Sequence, residues 1–141
     1  VCEHSYVEDF YYDTGAGVRN AFHEASHGLG AQAEQVVTNI NNWSVRQFAY
    51  LLDKLKKTSD VNGSLLENTL LMFGSGMRNN AANEHDLREA SLILAGRGTG
   101  YVPGRLVDVG GGKHSDLLAT VGRRFGVTGN IGMSGGTLPK I

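Results

Sequence analysis

Thr69-Leu-Leu-Met-Phe73 and Ser91-Leu-Ile-Leu-Ala95 are two short apolar runs, and each is followed directly by a glycine. A run that is apolar at every position is typical of a strand buried on both faces, as in a parallel sheet covered by helices. Arg105-Leu-Val-Asp-Val109 alternates in polarity and predicts a third strand. We therefore expect an α/β fold in which a mostly parallel sheet is flanked by helices.

Two segments have the spacing of amphipathic helices. Over residues 43–57 the apolar positions approximate i, i+3, i+4 and i+7 spacing, and lysines crowd the last turn, where positive charge suits the helix dipole. Asn62-Gly63 follows as a turn. Residues 115–125 predict a second helix with His114 or Ser115 near its N-cap. Glycine clusters at residues 96–100, 110–112 and 132–136 indicate loops through much of the second half.

The chain is 141 residues long with 40% hydrophobic and 19% charged content, which predicts a single folded unit. Within it we expect a loop-rich segment over residues 1–31 and an α/β segment over residues 32–141. The net charge of -1 argues against nucleic acid as a partner, and no apolar run approaches the ~18–20 residues of a membrane span. Cys2 is the only cysteine, so an intramolecular disulfide and a cysteine-rich zinc cluster are both excluded.

His23-Glu-Ala-Ser-His27 places two histidines four residues apart. In a helical turn both imidazoles project from one face and can reach a single metal ion. The segment also satisfies H-E-x-x-H, in which Glu24 would polarise a zinc-bound water of a protease. However, Ala33 stands where the extended protease motif has its third histidine, and glycines follow the pair where the helix should continue. Two solvated or locally hydrogen-bonded histidines remain an alternative.

His85 is the candidate for a third ligand, because it stands in a polar stretch just ahead of the second apolar run. The alternative is an exposed loop histidine beside acidic residues. His114, which precedes the last predicted helix, is expected to cap that helix or to support a metal ligand from the second layer.

Several segments together resemble one bacterial family of secreted, uncharacterised proteins that is named for its HXXSHH motif. The most telling are Arg46-Gln-Phe-Ala-Tyr-Leu-Leu-Asp-Lys-Leu-Lys56 and Leu65-Leu-Glu-Asn-Thr-Leu-Leu-Met-Phe-Gly-Ser75, read together with His23-x-x-Ser26-His27. Residues 85–98 and 114–127 continue the likeness in the same order. The family is related to the alkaline phosphatase and sulfatase superfamily. The resemblance implies that the chain is the carboxyl-terminal part of a larger alkaline phosphatase-like domain.

By this resemblance His23, His27 and His85 converge on one divalent metal ion, for which zinc is the expected identity. The resemblance also implies a periplasmic or extracellular location. Two departures from the pattern bear on activity. Gly28 replaces the last histidine of the motif, and the residues after Phe73 are Gly-Ser-Gly-Met where the superfamily has a second Asp-His ligand pair. The superfamily's nucleophile lies in an amino-terminal half that this chain does not contain.

The leading hypothesis is therefore a metal-binding, alkaline phosphatase-like domain, either part of a phosphate or sulfate ester hydrolase or a catalytically reduced relative. The main alternative is a non-catalytic structural or interaction subunit, motivated by the missing nucleophile and by a sheet too short to close its own edges. In that case another chain, or the missing amino-terminal half, would complete the sheet. An H-E-x-x-H zinc protease is the third hypothesis.

Overall fold

The structure is a computed structural model that describes residues 22, 26, 27, 33–76, 78–80, 83–86, 88 and 90–141. Within these residues the structure gives the bounds of two α-helices, six short strands and one 3-10 turn, and residues 22, 26 and 27 also have helical backbone. The helices are α1 (Ala33–Lys57) and α2 (His114–Arg124), and the 3-10 turn is Gly98–Gly100. The strands are β1 (Ser59–Asp60), β2 (Gly63–Ser64), β3 (Leu70–Gly74), β4 (Arg78–Asn80), β5 (Asn83–Asp86) and β6 (Leu92–Gly96).

Helix α1 confirms the helix predicted over residues 43–57 and begins ten residues earlier, at Ala33. Its first half contains Thr38 and three asparagines, which are poor helix formers because their side chains compete for backbone hydrogen bonds. Packing overrides that preference. Val36 and Ile40, one turn apart, are 5% and 1% exposed and form a core cluster that Phe22, Val37 and Trp43 pack against.

The predicted parallel sheet is wrong. The two short apolar runs form β3 and β6, which pair with each other antiparallel in the register Leu70↔Gly96 and Met72↔Leu94. Strands β1 and β2 also pair antiparallel, and β4 pairs with β5, so the described strands form three separate two-stranded sheets. A parallel connection needs a long crossover, usually a helix, whereas the described residues between β3 and β6 contain the β4–β5 pair instead.

The two apolar runs are also not buried on both faces. In an antiparallel pair, directly opposed residues share a face, so Met72 and Ile93 lie on opposite faces of the β3–β6 ribbon. They are 46% and 44% exposed. Each face of the ribbon therefore has an exposed apolar side chain. The prediction that uniformly apolar runs are buried on both faces, as in a central strand, is wrong for β3 and β6.

Close backbone contacts hold β6 against the segment that precedes β3. The Arg97 backbone N–H donates to the Leu66 carbonyl at 3.2 Å, and the Gly98 N–H donates to the Thr69 carbonyl at 2.9 Å. Gly96 has φ +98°, and a Cβ at this position would collide with the Thr69 carbonyl oxygen. The glycine that ends the second apolar run is thus required by a close approach between two backbone segments.

The carboxyl-terminal region is organised by α2, which confirms the helix predicted over residues 115–125 to within one residue at each end. The predicted strand over residues 105–109 is wrong, because this segment has no strand pairing and Leu106 is fully exposed.

The glycine-rich segment that follows α2 folds back onto the helix. Arg123 donates to the carbonyls of Val127 and Gly129, each at 2.6 Å, and the buried Thr120 hydroxyl accepts the Leu138 N–H at 2.7 Å.

The residues divide into two compact units. One comprises Val1–Lys54 and Asn79–Asp86 and contains the Val36–Ile40 core cluster. The other comprises Leu55–Arg78 and Leu87–Ile141 and contains the β3–β6 ribbon and α2. The expected single folded unit, with its division at residue 31, stays a prediction. Among the described helices, none has both the length and the apolar character that crossing a membrane requires.

Candidate metal site

His27 is the member of the predicted ligand set whose side chain the structure describes. It lies in helical backbone together with Ser26 and is half-buried. A helical conformation is what the spacing of the H-x-x-x-H pair requires if both imidazoles are to point to one ion. His23 and Glu24 lie outside the described residues, so the pairing of His23 with His27, and the role of Glu24 in a protease motif, stay predictions.

His85 lies in β5, which pairs with β4. The alternative in which His85 lies on a loop is therefore wrong, because its backbone is part of a strand. Strand β5 belongs to the same compact unit as His27, although the two segments are far apart in the sequence. The fold thus brings the segments of two predicted ligands into one unit, as convergence on a shared ion requires.

Asp86, the last residue of β5, is a buried carboxylate that the sequence reasoning did not single out. It is 2% exposed and is one of the two largest fully buried side chains among the described residues. A buried carboxylate is costly unless hydrogen bonds, a counter-charge or a metal ion compensates it, and Asp86 does have interaction partners in the fold. The sequence offered little signal for it, because acidic residues surround His85 and such stretches are usually exposed.

His114 is exposed and is the first residue of α2, in the other compact unit. The N-cap is Lys113, and the cap contact comes from Asp116, whose carboxylate accepts the Lys113 N–H at 3.0 Å. The prediction that His114 or Ser115 lies near the cap is confirmed, but the capping side chain belongs to Asp116. A role for His114 behind a metal ligand stays a prediction.

The Asp116 carboxylate places a negative charge at the amino terminus of α2. Besides the Lys113 N–H, it accepts the Gly135 N–H at 2.7 Å. These backbone hydrogen bonds, led by the one from Lys113, hold the pKa of Asp116 below its usual value because they stabilise the ionised form. The positive end of the helix dipole is therefore already compensated.

The sequence predicted no good metal ligand in the Gly-Ser-Gly-Met segment that follows Phe73. Gly74, Ser75 and Gly76 are exposed, and Met77 lies outside the described residues. Among the residues whose placement is described, no three His, Cys, Asp or Glu side chains come close enough together to hold a metal ion. That set includes His27 but neither His23 nor the side chain of His85, so it does not test the predicted three-histidine site.

In the carboxyl-terminal unit, one small open hollow lies between Val109, Leu138, Pro139 and Lys140. Its volume is about 70 Å³. Sites for small organic ligands usually measure about 300–1,000 Å³. This hollow is therefore too small to indicate a substrate pocket.

Comparison of the chain with protein-family models, with curated proteins and with solved structures gives no significant match. The resemblance to the HXXSHH-motif family, and the location outside the cytoplasm that it implies, therefore stay predictions. The fold that the resemblance implied is corrected by the antiparallel pairing of β3 and β6.

Proposed function

We propose that this chain binds a divalent metal ion, with zinc as the favoured identity and with His23, His27 and His85 as its ligands. The observation that carries the proposal is the presence of His27 and β5 in the same compact unit. Neutral imidazole is a preferred zinc ligand, and three protein ligands with water in the fourth position are typical of a catalytic zinc site.

The donor set fits zinc better than it fits harder cations. Magnesium and calcium prefer several oxygen ligands, whereas three imidazoles suit zinc and leave a fourth coordination position open. Zinc bound in that way would supply Lewis-acid chemistry. Action on phosphate or sulfate esters is a further proposal that rests on the family resemblance alone, and no residue of this chain is assigned as its nucleophile.

Metal titration of the purified chain and of three alanine variants tests the proposal. His27→Ala and His85→Ala are each expected to weaken zinc binding by more than the roughly 10–100-fold loss that accompanies removal of an outer-shell partner. His114→Ala is the matched control, because this histidine is exposed and lies in the other compact unit. Unchanged zinc stoichiometry and affinity in both His27→Ala and His85→Ala would remove the proposed site.

The exposed residues of the β3–β6 ribbon favour a second candidate function, that of an interaction subunit. Met72 and Ile93 expose more than two fifths of their surface on opposite faces of the ribbon, and such faces can be covered by another chain. Sedimentation of the chain over a range of concentrations tests self-association. A monomer at all concentrations that binds zinc tightly would favour the metal-binding proposal over this one.

A further inference from the structure

Asn62 lies in the turn between β1 and β2, and Gly63 is the first residue of β2. Together they form the only Asn-Gly pair in the sequence. Both residues are exposed, as is the preceding Val61 at 92%. Within the described part of the chain the side-chain amide of Asn62 makes no hydrogen bond, whereas its neighbours in the same loop do. The amide is thus free to rotate towards the backbone of the following residue.

Gly63 has no side chain of its own beside its backbone nitrogen, and it is paired with Asp60 in the β1–β2 ladder. Its φ of +114° is in the region that favours glycine, and a Cβ built at this position would collide with the Glu67 carboxylate. Any larger residue would be strained there and would also displace Glu67. The fold therefore requires the one residue type that leaves the nitrogen next to Asn62 most accessible.

Hydrogen bonds hold the residues on either side of Asn62 but leave Asn62 itself out. The Asp60 carboxylate accepts the Val61 N–H at 2.8 Å and the Asn68 side-chain amide at 3.1 Å. The Glu67 carboxylate accepts the Ser64 N–H at 2.8 Å. Because β1 and β2 are only two residues long, the turn itself is held mainly by these flanking contacts.

We propose that Asn62-Gly63 is a site of spontaneous deamidation in the folded chain. The Gly63 backbone nitrogen attacks Cγ of Asn62, a nitrogen–carbon bond forms, and the bond from Cγ to the side-chain nitrogen breaks. The proton from the Gly63 N–H leaves with the side-chain nitrogen as ammonia, and a cyclic imide remains. Water then opens the imide at either carbonyl, giving aspartate or isoaspartate at position 62.

Both products change the turn. Each adds a carboxylate to a loop that already contains those of Asp60 and Glu67, so like charges are brought together. Isoaspartate also inserts the side-chain carbon into the backbone between the paired residues Asp60 and Gly63. We expect that extra atom to break the register of the β1–β2 pair.

Mass spectrometry of the folded chain after incubation at mildly alkaline pH tests the proposal. Trypsin releases residues 58–78 as one peptide that carries both Asn62 and Asn68. Asn68 is an internal control, because its amide donates hydrogen bonds to Asp60 and Ser64 and a β-branched threonine follows it. Asn62 is expected to lose ammonia and gain water at least about tenfold faster than Asn68, because glycine leaves its nitrogen open to close approach.

An Asn62→Gln variant completes the design, because closure of the larger ring through glutamine is slow. Its peptide is expected to keep its mass over the same incubation, while the wild-type peptide is modified at position 62 and contains isoaspartate. A rate at Asn62 less than tenfold above that at Asn68 would overturn the proposal. Equal mass gain in the wild type and in Asn62→Gln would overturn it as well.

Discussion

Replacing Gly96 by alanine should strongly destabilise the carboxyl-terminal unit. Gly96 ends β6 with φ +98°, and an added Cβ would lie 3.0 Å from the Leu66 carbonyl oxygen and closer still to that of Thr69. Holding alanine in this backbone conformation costs about 1–3 kcal/mol. Relieving the overlap by moving one backbone segment costs about 1–3 kcal/mol more.

The sum is a loss of about 2–6 kcal/mol, which is large against the roughly 5–15 kcal/mol that usually stabilises a domain. A small part is offset, because alanine reduces the conformational freedom of the unfolded chain by about 0.4–1 kcal/mol. The loss should appear in denaturant-induced unfolding followed by circular dichroism, as a lower midpoint with an unchanged slope.

Two glycines of the same unit separate the contributions. Gly100 has φ +75° with nothing within 4 Å of an added Cβ, so Gly100→Ala should show the backbone cost alone, about 1 kcal/mol after the offset. Gly76 has open space and no positive φ, so Gly76→Ala should stay within about 0.5 kcal/mol of the wild type. If Gly96→Ala were no worse than Gly100→Ala, the close approach of β6 to Thr69 would be refuted.

Two further predictions concern the core of α1 and the start of α2. Ile40→Ala should cost about 2–5 kcal/mol because Ile40 is 1% exposed, whereas Val45→Ala, at 44% exposure on the same helix, should change stability by less than about 0.5 kcal/mol; equal losses by chemical denaturation would place Ile40 outside the core. The lowered pKa of Asp116, caused mainly by the Lys113 N–H, means that its stabilising contribution is present above the ordinary aspartate pKa and is lost as pH falls through the lower pKa of the folded state. Asp116→Asn should therefore be less stable than the wild type at neutral pH, and the difference should shrink in acid; a gap that is constant with pH would argue against this role.

Local pattern predicted the helices better than the sheet. The apolar spacing over residues 43–57 and 115–125 identified α1 and α2, because a helix is specified largely by residues within one or two turns. The β3–β6 pair depends on residues far apart in sequence, and an apolar run is compatible with either strand direction. The run over residues 105–109 formed no strand, since alternation alone does not provide a partner.

The candidate site shows a similar division. Spacing was enough to single out His23 and His27, and helical backbone at His27 agrees with it. Spacing did not indicate that Asp86 is buried, because burial of a carboxylate depends on partners brought together by the fold. The sequence placed His114 near the start of α2, but it did not indicate that the capping contact comes from Asp116.

X-ray absorption spectroscopy of the zinc-loaded chain tests the proposed function most directly, since it reports the atoms bound to the metal. The three-histidine proposal predicts one zinc per chain, with a first shell dominated by nitrogen at about 2.0–2.1 Å and the outer-shell scattering of three imidazole rings. The ring scattering should fall by a third in His85→Ala if zinc is still bound. A shell of oxygen alone, a sulfur neighbour at about 2.3 Å, or failure of the folded chain to bind zinc would contradict the proposal.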